Sequence, residues 1–174
     1  MIAVVSVGGY LVLGLLLDGP GSGYELGARA SRAVAYFWPI TRSHIYAELP
    51  KLVERGHATV EHVAQEAVPD KRVYTATEAG LHAFRGWLEG FTAVSERARQ
   101  PLQIQLHFAQ HTNAEHLLGQ LDLWEAELRN TLVVCQELLA DYAGHAGRTL
   151  TARFAINRAE ADLAWITEAR ASLQ

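Results

Sequence analysis

The chain is short of the features that mark several protein classes. It has one cysteine in 174 residues, Cys135, so no intrachain disulfide can form. A lone thiol suits a reducing cytoplasm, and its place in a predicted helix reads as a small core residue. Charge of one sign is also scarce. Formal net charge is −4, with eight Lys and Arg against nine Asp and Glu up to Thr92, and seven against ten from Ala93 onward. This balance argues against strong non-specific attachment to a polyanion and leaves only local basic patches. No membrane-spanning run is present. Ile2 to Leu17 carries no charge, but Gly8-Gly9 and Asp18 interrupt it. A spanning helix takes about 20 apolar residues, and no basic stretch precedes this run as in a signal peptide. It reads as a buried first helix from about Val7 to Leu17, stopped at Asp18-Gly19-Pro20. No membrane partner is expected, and the compartment is expected to be the cytoplasm.

Signs of catalysis are equally sparse. There is no G-x-S-x-G elbow and no H-E-x-x-H. Among eight histidines, His107 and His111 are spaced i,i+4 with His116 nearby. That face offers no cysteine or acidic third ligand, so surface histidines are expected, and no metal. Gly21-x-Gly23-x-x-x-Gly27 follows an apolar run and opens a helix, as a dinucleotide-binding loop does. That motif needs a second strand ending in an acid. The next apolar run, Val34 to Trp38, ends in Pro39 and no βαβ alternation follows. The expectation is no enzyme and no cofactor.

What is present centres on Ser22 to Arg72. Ser22-Gly23-Tyr24-Glu25 has the form of a capping box, opening a helix to about Val34 with Tyr24, Leu26, Ala30 and Val34 inward. Tyr36, Phe37 and Trp38 read as core aromatics before Pro39. Thr41 can cap a helix running to Arg55, stopped by Gly56. Its buried stripe is Ile45, Leu49, Leu52 and Val53, and its other face carries Arg42, Ser43, His44, Tyr46, Ala47 and Lys51. Pro50 predicts a kink there or an early end. Two alternating segments, Ala58 to Ala64 and Lys71 to Ala76, can pair as strands across the long connection Gln65 to Asp70. Helix, turn, helix and hairpin in this order make a winged helix-turn-helix. Short polar and basic groups at a helix N-terminus suit the major groove: Ser43 can meet phosphate and Arg42 can reach guanine.

These residues resemble the PadR family of bacterial winged-helix transcriptional regulators. The matching pieces are LGLLLDGPGSGYEL, FWPITRSHIYAELPKLVERG, DKRVYTATEAG and the following helix with Trp87, roughly Tyr10 to Trp87. The resemblance implies DNA contact by Arg42, Ser43, Tyr46 and Lys71-Arg72. Ser22, Tyr24, Thr41, His44 and Lys51 complete the expected DNA-facing set. The chain departs from the family pattern at Pro50, where a basic residue is common, and in a wing that carries Glu66 and Asp70.

After the wing, Thr75 or Thr77 can cap a helix to about Glu89 with Phe84, Trp87 and Leu88 inward. Phe91 to Gln100 reads as a hinge closed by Pro101, dividing the chain into 1–92, DNA-binding, and 93–174, helical and dimerising. A short helix over Leu102 to Gln110 is followed by Thr112-x-x-Glu115, a second capping box. Leu117, Leu121, Trp124, Leu128, Thr131, Cys135, Leu138 and Tyr142 then step by four and three, a sustained heptad seam. Gly144 to Gly147 breaks it, and a last helix runs from about Thr149 to Ser172, with Leu150, Phe154, Ala161, Trp165 and Leu173 inward. A thin antiparallel hairpin needs its seam covered, most simply by a second copy of the chain. The fold class expected is mainly α, an α+β winged helix with a helical dimerisation region. The resemblance further implies a homodimeric repressor on double-stranded operator DNA. It also implies a small hydrophobic or aromatic effector held near Trp124 and Trp165. The rival is a winged helix retained as a protein-interaction module.

Overall fold

The computed structural model describes residues 5–63, 71–90 and 101–173. The expected wing tip, Gln65 to Asp70, the last residue of the first strand, Ala64, and the hinge, Phe91 to Gln100, lie outside these. The chain forms two compact units, Met1–Ala93 and Val94–Gln174.

In the first unit α1 (Val7–Leu17), α2 (Gly23–Ala33) and α3 (Arg42–Glu54) precede a hairpin of β1 (Ala58–Val63) and β2 (Lys71–Ala76), and α4 (Glu78–Glu89) follows. The strands pair antiparallel, Ala58 opposite Ala76 and Val63 opposite Lys71. Gly21, just before α2, bridges to Tyr74 from the other side, so the approach to α2 is bound to the wing's second strand. Val12, Leu13, Leu16, Leu26, Ile45, Leu49 and Leu52 fill one core. Ala58 and Tyr74 seat the hairpin on it, and Phe84 packs against it from α4.

Local chemistry sets the helix ends. Ser22 and Glu25 form the complete capping box, and Thr41 caps α3 by accepting from the His44 N–H at 3.2 Å. Gly56 ends α3 with φ +72°. Its N–H donates to Val53 O and the next to Leu52 O, a Schellman closure that favours glycine at the left-handed position. Thr77, rather than Thr75, caps α4, and its hydroxyl also donates to Gly56 O at 2.6 Å, tying the start of α4 to the end of α3. α3 continues through Pro50 to Glu54. Pro50 is exposed, and the helix runs on past it without the hydrogen bond that a proline cannot donate.

Several expected inward positions lie outside. Tyr24 is 60% exposed, Phe37 44%, Trp38 39% and Leu88 61%. The core of α2 needs only Leu26 and Ala30. On α4 it is Trp87 that turns in, stacking on Tyr10 at 4.8 Å between ring centroids.

The second unit is a hairpin of α6 (Ala114–Asp141) and α7 (Ala146–Leu173), preceded by α5 (Pro101–His107) and a single 3-10 turn (Ala109–His111). Asn113, not Thr112, caps α6, its side chain accepting from the His116 N–H at 2.7 Å. The helix expected over Leu102 to Gln110 stops at His107, so His107 and His111 do not share a helical face. Among the described residues no His, Cys, Asp and Glu side chains group as a metal site. The α6 seam is inward as read: Leu117, Leu121, Leu128, Cys135 and Tyr142 are buried. Burial pushes the Cys135 thiol pKa up, away from the reactive thiolate. What covers the seam is α7 of the same chain, through Ala152, Ala159 and Ile166. Most of the expected α7 stripe is outside: Leu150 is 67% exposed, Phe154 69% and Trp165 41%, and Ala161 is exposed too, while Leu173 packs against the seam. Ala152, Ala159 and Ile166 recur at every seventh position on the face toward α6, and Leu150 and Phe154 are left outside. Among the described residues no helix is long and apolar enough to cross a membrane.

Candidate nucleic-acid interface

Three pieces of backbone bring most of the expected DNA-facing residues together: the start of α2, the first half of α3 and the base of β2. The α2–α3 approach is close because α2 offers glycines there. A Cβ on Gly23 would meet the Tyr46 ring at 2.5 Å, and one on Gly27 would meet Arg42 Cγ at 3.2 Å. These are the glycines whose spacing imitates a dinucleotide loop, and helix packing accounts for them. Tyr46 lies across the first turn of α2 and stays 52% exposed. The Arg42 guanidinium sits 4.9 Å above the centre of the Tyr24 ring, a cation–π contact that orients it without consuming its five N–H donors. Ser43 is exposed one residue further on.

The remaining cations differ in how free they are. Lys51 Nζ is 2.9 Å from Glu48 Oε1. Glu48 is the buried carboxylate of the α1–α3 contact, with His44 Nε2 at 3.9 Å. His44 also packs against Gly8 of α1, so half of its surface faces inward. Lys71 Nζ is 2.7 Å from Glu25 Oε1. Glu25 Oε2 receives the Ser22 N–H at 2.8 Å and the Ser22 hydroxyl at 2.9 Å. The Lys71 ammonium, with Ser22 behind it, holds the Glu25 carboxyl at about 2, well below its usual value. Ser22 and Thr41 are thus helix caps, their oxygens occupied within the fold. Arg72 is exposed and, among the described residues, in no ion pair. The open set is Arg42, Ser43, Tyr46 and Arg72, with Tyr24 as the platform under Arg42. Sequence reading saw Glu25 only as a cap. Its partner is 46 residues away, and no local periodicity links them.

The family description "Transcriptional regulator PadR-like family" matches residues 12–86, the span that carries this interface. Over this span the first unit is a PadR-like domain, similar to that family of transcriptional regulators. The second unit matches "Virulence activator alpha C-term" over residues 98–174. The negative transcriptional regulator PadR of Bacillus subtilis is 26% identical over 133 residues, 76% of this chain and 71% of that protein. A structure of B. subtilis PadR in complex with operator DNA superposes with a TM-score of 0.82 at 25% identity, covering 95% of this chain and 97% of that one. The same protein in complex with p-coumaric acid gives 0.77 at 25% identity, over 97% and 99%. The Vibrio cholerae virulence activator AphA gives 0.71 at 26% identity, over 95% and 97%. The PadR-like winged helix and its helical C-terminal region are therefore both present in this chain.

In the second unit Trp124 and Trp165 do come together, ring centroids 5.8 Å apart and tilted by 58°. They line a groove of about 460 Å³ with Leu102, Leu106, His107 and Arg158. Arg158 Nε lies 3.9 Å from Asp162 Oδ2. Gln103 and Asp162 line the groove as well, so apolar side chains and two indoles meet a guanidinium that already has a carboxylate beside it.

Proposed function

We propose that this chain is a sequence-specific DNA-binding regulator that works in the cytoplasm as a homodimer. Residues 1–92 read the operator, and residues 93–174 dimerise. The observation that carries this reading is the exposed first half of α3. It presents Arg42, Ser43 and Tyr46 together beside the start of α2. With a near-neutral first unit, affinity rests on these local contacts rather than on bulk charge. Two copies place two recognition helices at half-sites about one helical turn apart. The second copy covers the large apolar residues that α7 leaves outside. Repression is the sign favoured by the name of the B. subtilis relative. A small aromatic acid in the Trp124–Trp165 groove shifts the equilibrium between arrangements of the two recognition helices, and so relieves it.

The test is fluorescence anisotropy of the protein against duplex DNA from upstream of its own coding region. It is repeated over a salt series, with Arg42→Ala and Tyr46→Ala, and with p-coumaric acid added. Selective binding that weakens with salt is expected, with a loss of about 1–3 kcal/mol for Arg42→Ala, and release by the acid. A dimer with no selective binding even at low salt would instead favour the interaction module, a reading to which the pairing of Lys51 and Lys71 with carboxylates already lends weight.

A further inference from the structure

Among the described residues the Glu25–Lys71 pair is the side-chain contact that joins the start of α2 to the base of β2. One carboxylate oxygen completes the cap of α2 through Ser22, and the other takes the ammonium at the first residue of β2. Three residues further along β2, Tyr74 exchanges two backbone hydrogen bonds with Gly21, both 3.0 Å. The strand is therefore fastened to the α2 start at two points about 10 Å apart. A strand held at one point can pivot about it, and a strand held at two cannot. Lys71 is fixed in this role. Its side chain is only one-third exposed, and its charge is already met by Glu25.

Resting on the DNA-binding reading above, we propose that Glu25 is the residue that positions the wing. Through Lys71 it sets the angle of β2 against the start of α2, so that the wing and the α3 face meet one duplex together. Lys71 is then a strut rather than a phosphate contact, and Arg72, next along the strand and in no ion pair among the described residues, is the cation β2 offers to phosphate.

The sign of the effect separates this from the obvious alternative. A carboxylate near DNA repels phosphate, so on electrostatics alone removing its charge tightens binding. If Glu25 positions the wing, removing its charge loosens binding. Glu25→Gln is the suitable variant, because glutamine at this position of a capping box still accepts the cap N–H.

The experiment measures anisotropy on the same upstream duplex for Glu25→Gln, Lys71→Met, Lys71→Arg and the Glu25→Gln/Lys71→Met pair across a salt series. Alongside it, hydrogen exchange is followed in the DNA-free proteins over residues 58–76. A half-exposed pair limits the loss to about threefold to fivefold for Glu25→Gln or Lys71→Met. The salt slope should be unchanged, the double variant no worse than either single one, and Lys71→Arg near the wild type. Wing amides should exchange faster in Glu25→Gln and Lys71→Met while those of α1 and α3 do not. Tighter binding by Glu25→Gln, a salt slope lowered by about one in Lys71→Met, or unaltered wing exchange would each overturn the proposal. If the wild type selects no DNA, the regulator reading fails, and wing exchange alone decides whether Glu25 positions the wing.

Discussion

The two units bury their apolar side chains in different ways. In the first, three helices, a hairpin and the end of a fourth helix close around Leu13, Leu26, Ile45, Leu49 and Leu52, so that each core residue is enclosed from several directions. In the second, a pair of helices closes a single seam. Polar ties across that seam come from Arg170, which reaches Asp122 and Glu125, with Arg129 on the same Glu125. On the outside of the hairpin Leu123, Val133, Leu150 and Phe154 face solvent with no polar atom in their side chains. The exposed tyrosines of the first unit, Tyr24 and Tyr46, each keep a hydroxyl for water or a ligand. The first unit therefore encloses its core from several sides, and the hairpin leaves large apolar side chains uncovered on its outer face, where the proposed second copy would lie.

That difference has measurable consequences. Leu49→Ala removes a fully buried side chain where α3 meets the core, and should cost about 2–5 kcal/mol. Leu121→Ala in the seam should cost a comparable amount. Thermal melts at low and high protein concentration distinguish them. The midpoint of the first unit's transition should not move with concentration, and that of the hairpin should rise. A hairpin transition independent of concentration would mean that two helices suffice, and the contrast between the units would vanish.

Phe154→Glu addresses the outer face alone. The side chain is 69% exposed in the single chain, so the substitution should change the stability of the isolated chain by no more than about 0.5 kcal/mol. In the dimer the same carboxylate would be buried in an apolar contact, weakening self-association by on the order of 2 kcal/mol, some thirtyfold. Sedimentation equilibrium reads this directly. A wild type that is monomeric at high concentration would remove the premise.

The contrast also explains what could be read in advance. The α6 seam was legible because Leu117, Leu121, Leu128, Cys135 and Tyr142 recur at heptad spacing along one helix face. The α7 face was not, because that helix has two stripes. Ala152, Ala159 and Ile166 face α6, while Leu150, Phe154 and Trp165 are larger and draw the eye. Which stripe turns inward depends on how closely the helices approach, a property of the pair and not of either sequence. Tyr24 misled in a similar way, since its apolar spacing fits the core but the first turn of α2 lies over Tyr46 and Arg42. In the candidate site, caps such as Ser22 and Thr41 follow from neighbours three residues away and were visible as caps. That their oxygens are thereby occupied, and that Lys71 is held by Glu25, depends on the hairpin folding back onto α2, which no local pattern records.

The smallest effect expected is the pH dependence of that last contact. Glu25 is lowered from 4.5 to about 2, first by the hydrogen bond from Lys71 and then by those from Ser22. Because the folded value is the depressed one, the carboxylate form stabilises the fold. Its contribution is complete above pH 4.5 and is lost as pH falls toward 2. The group is 46% exposed, so water and salt screen the interaction, and the stability involved is roughly 1 kcal/mol or less. Glu125 in the hairpin is also lowered, by Arg129 and Arg170, so a bulk acid titration would blend the two units. Carbon-detected NMR of the Glu25 carboxyl resolves the first alone, with a midpoint near 2 expected in the wild type. In Lys71→Met the midpoint should move upward but stay below 4.5, because the largest cause has gone while the Ser22 hydrogen bonds remain. A wild-type midpoint at 4.5 would mean that the carboxylate is not held by Lys71 in solution, and that of the two ties between β2 and the start of α2 the Gly21–Tyr74 hydrogen bonds alone hold.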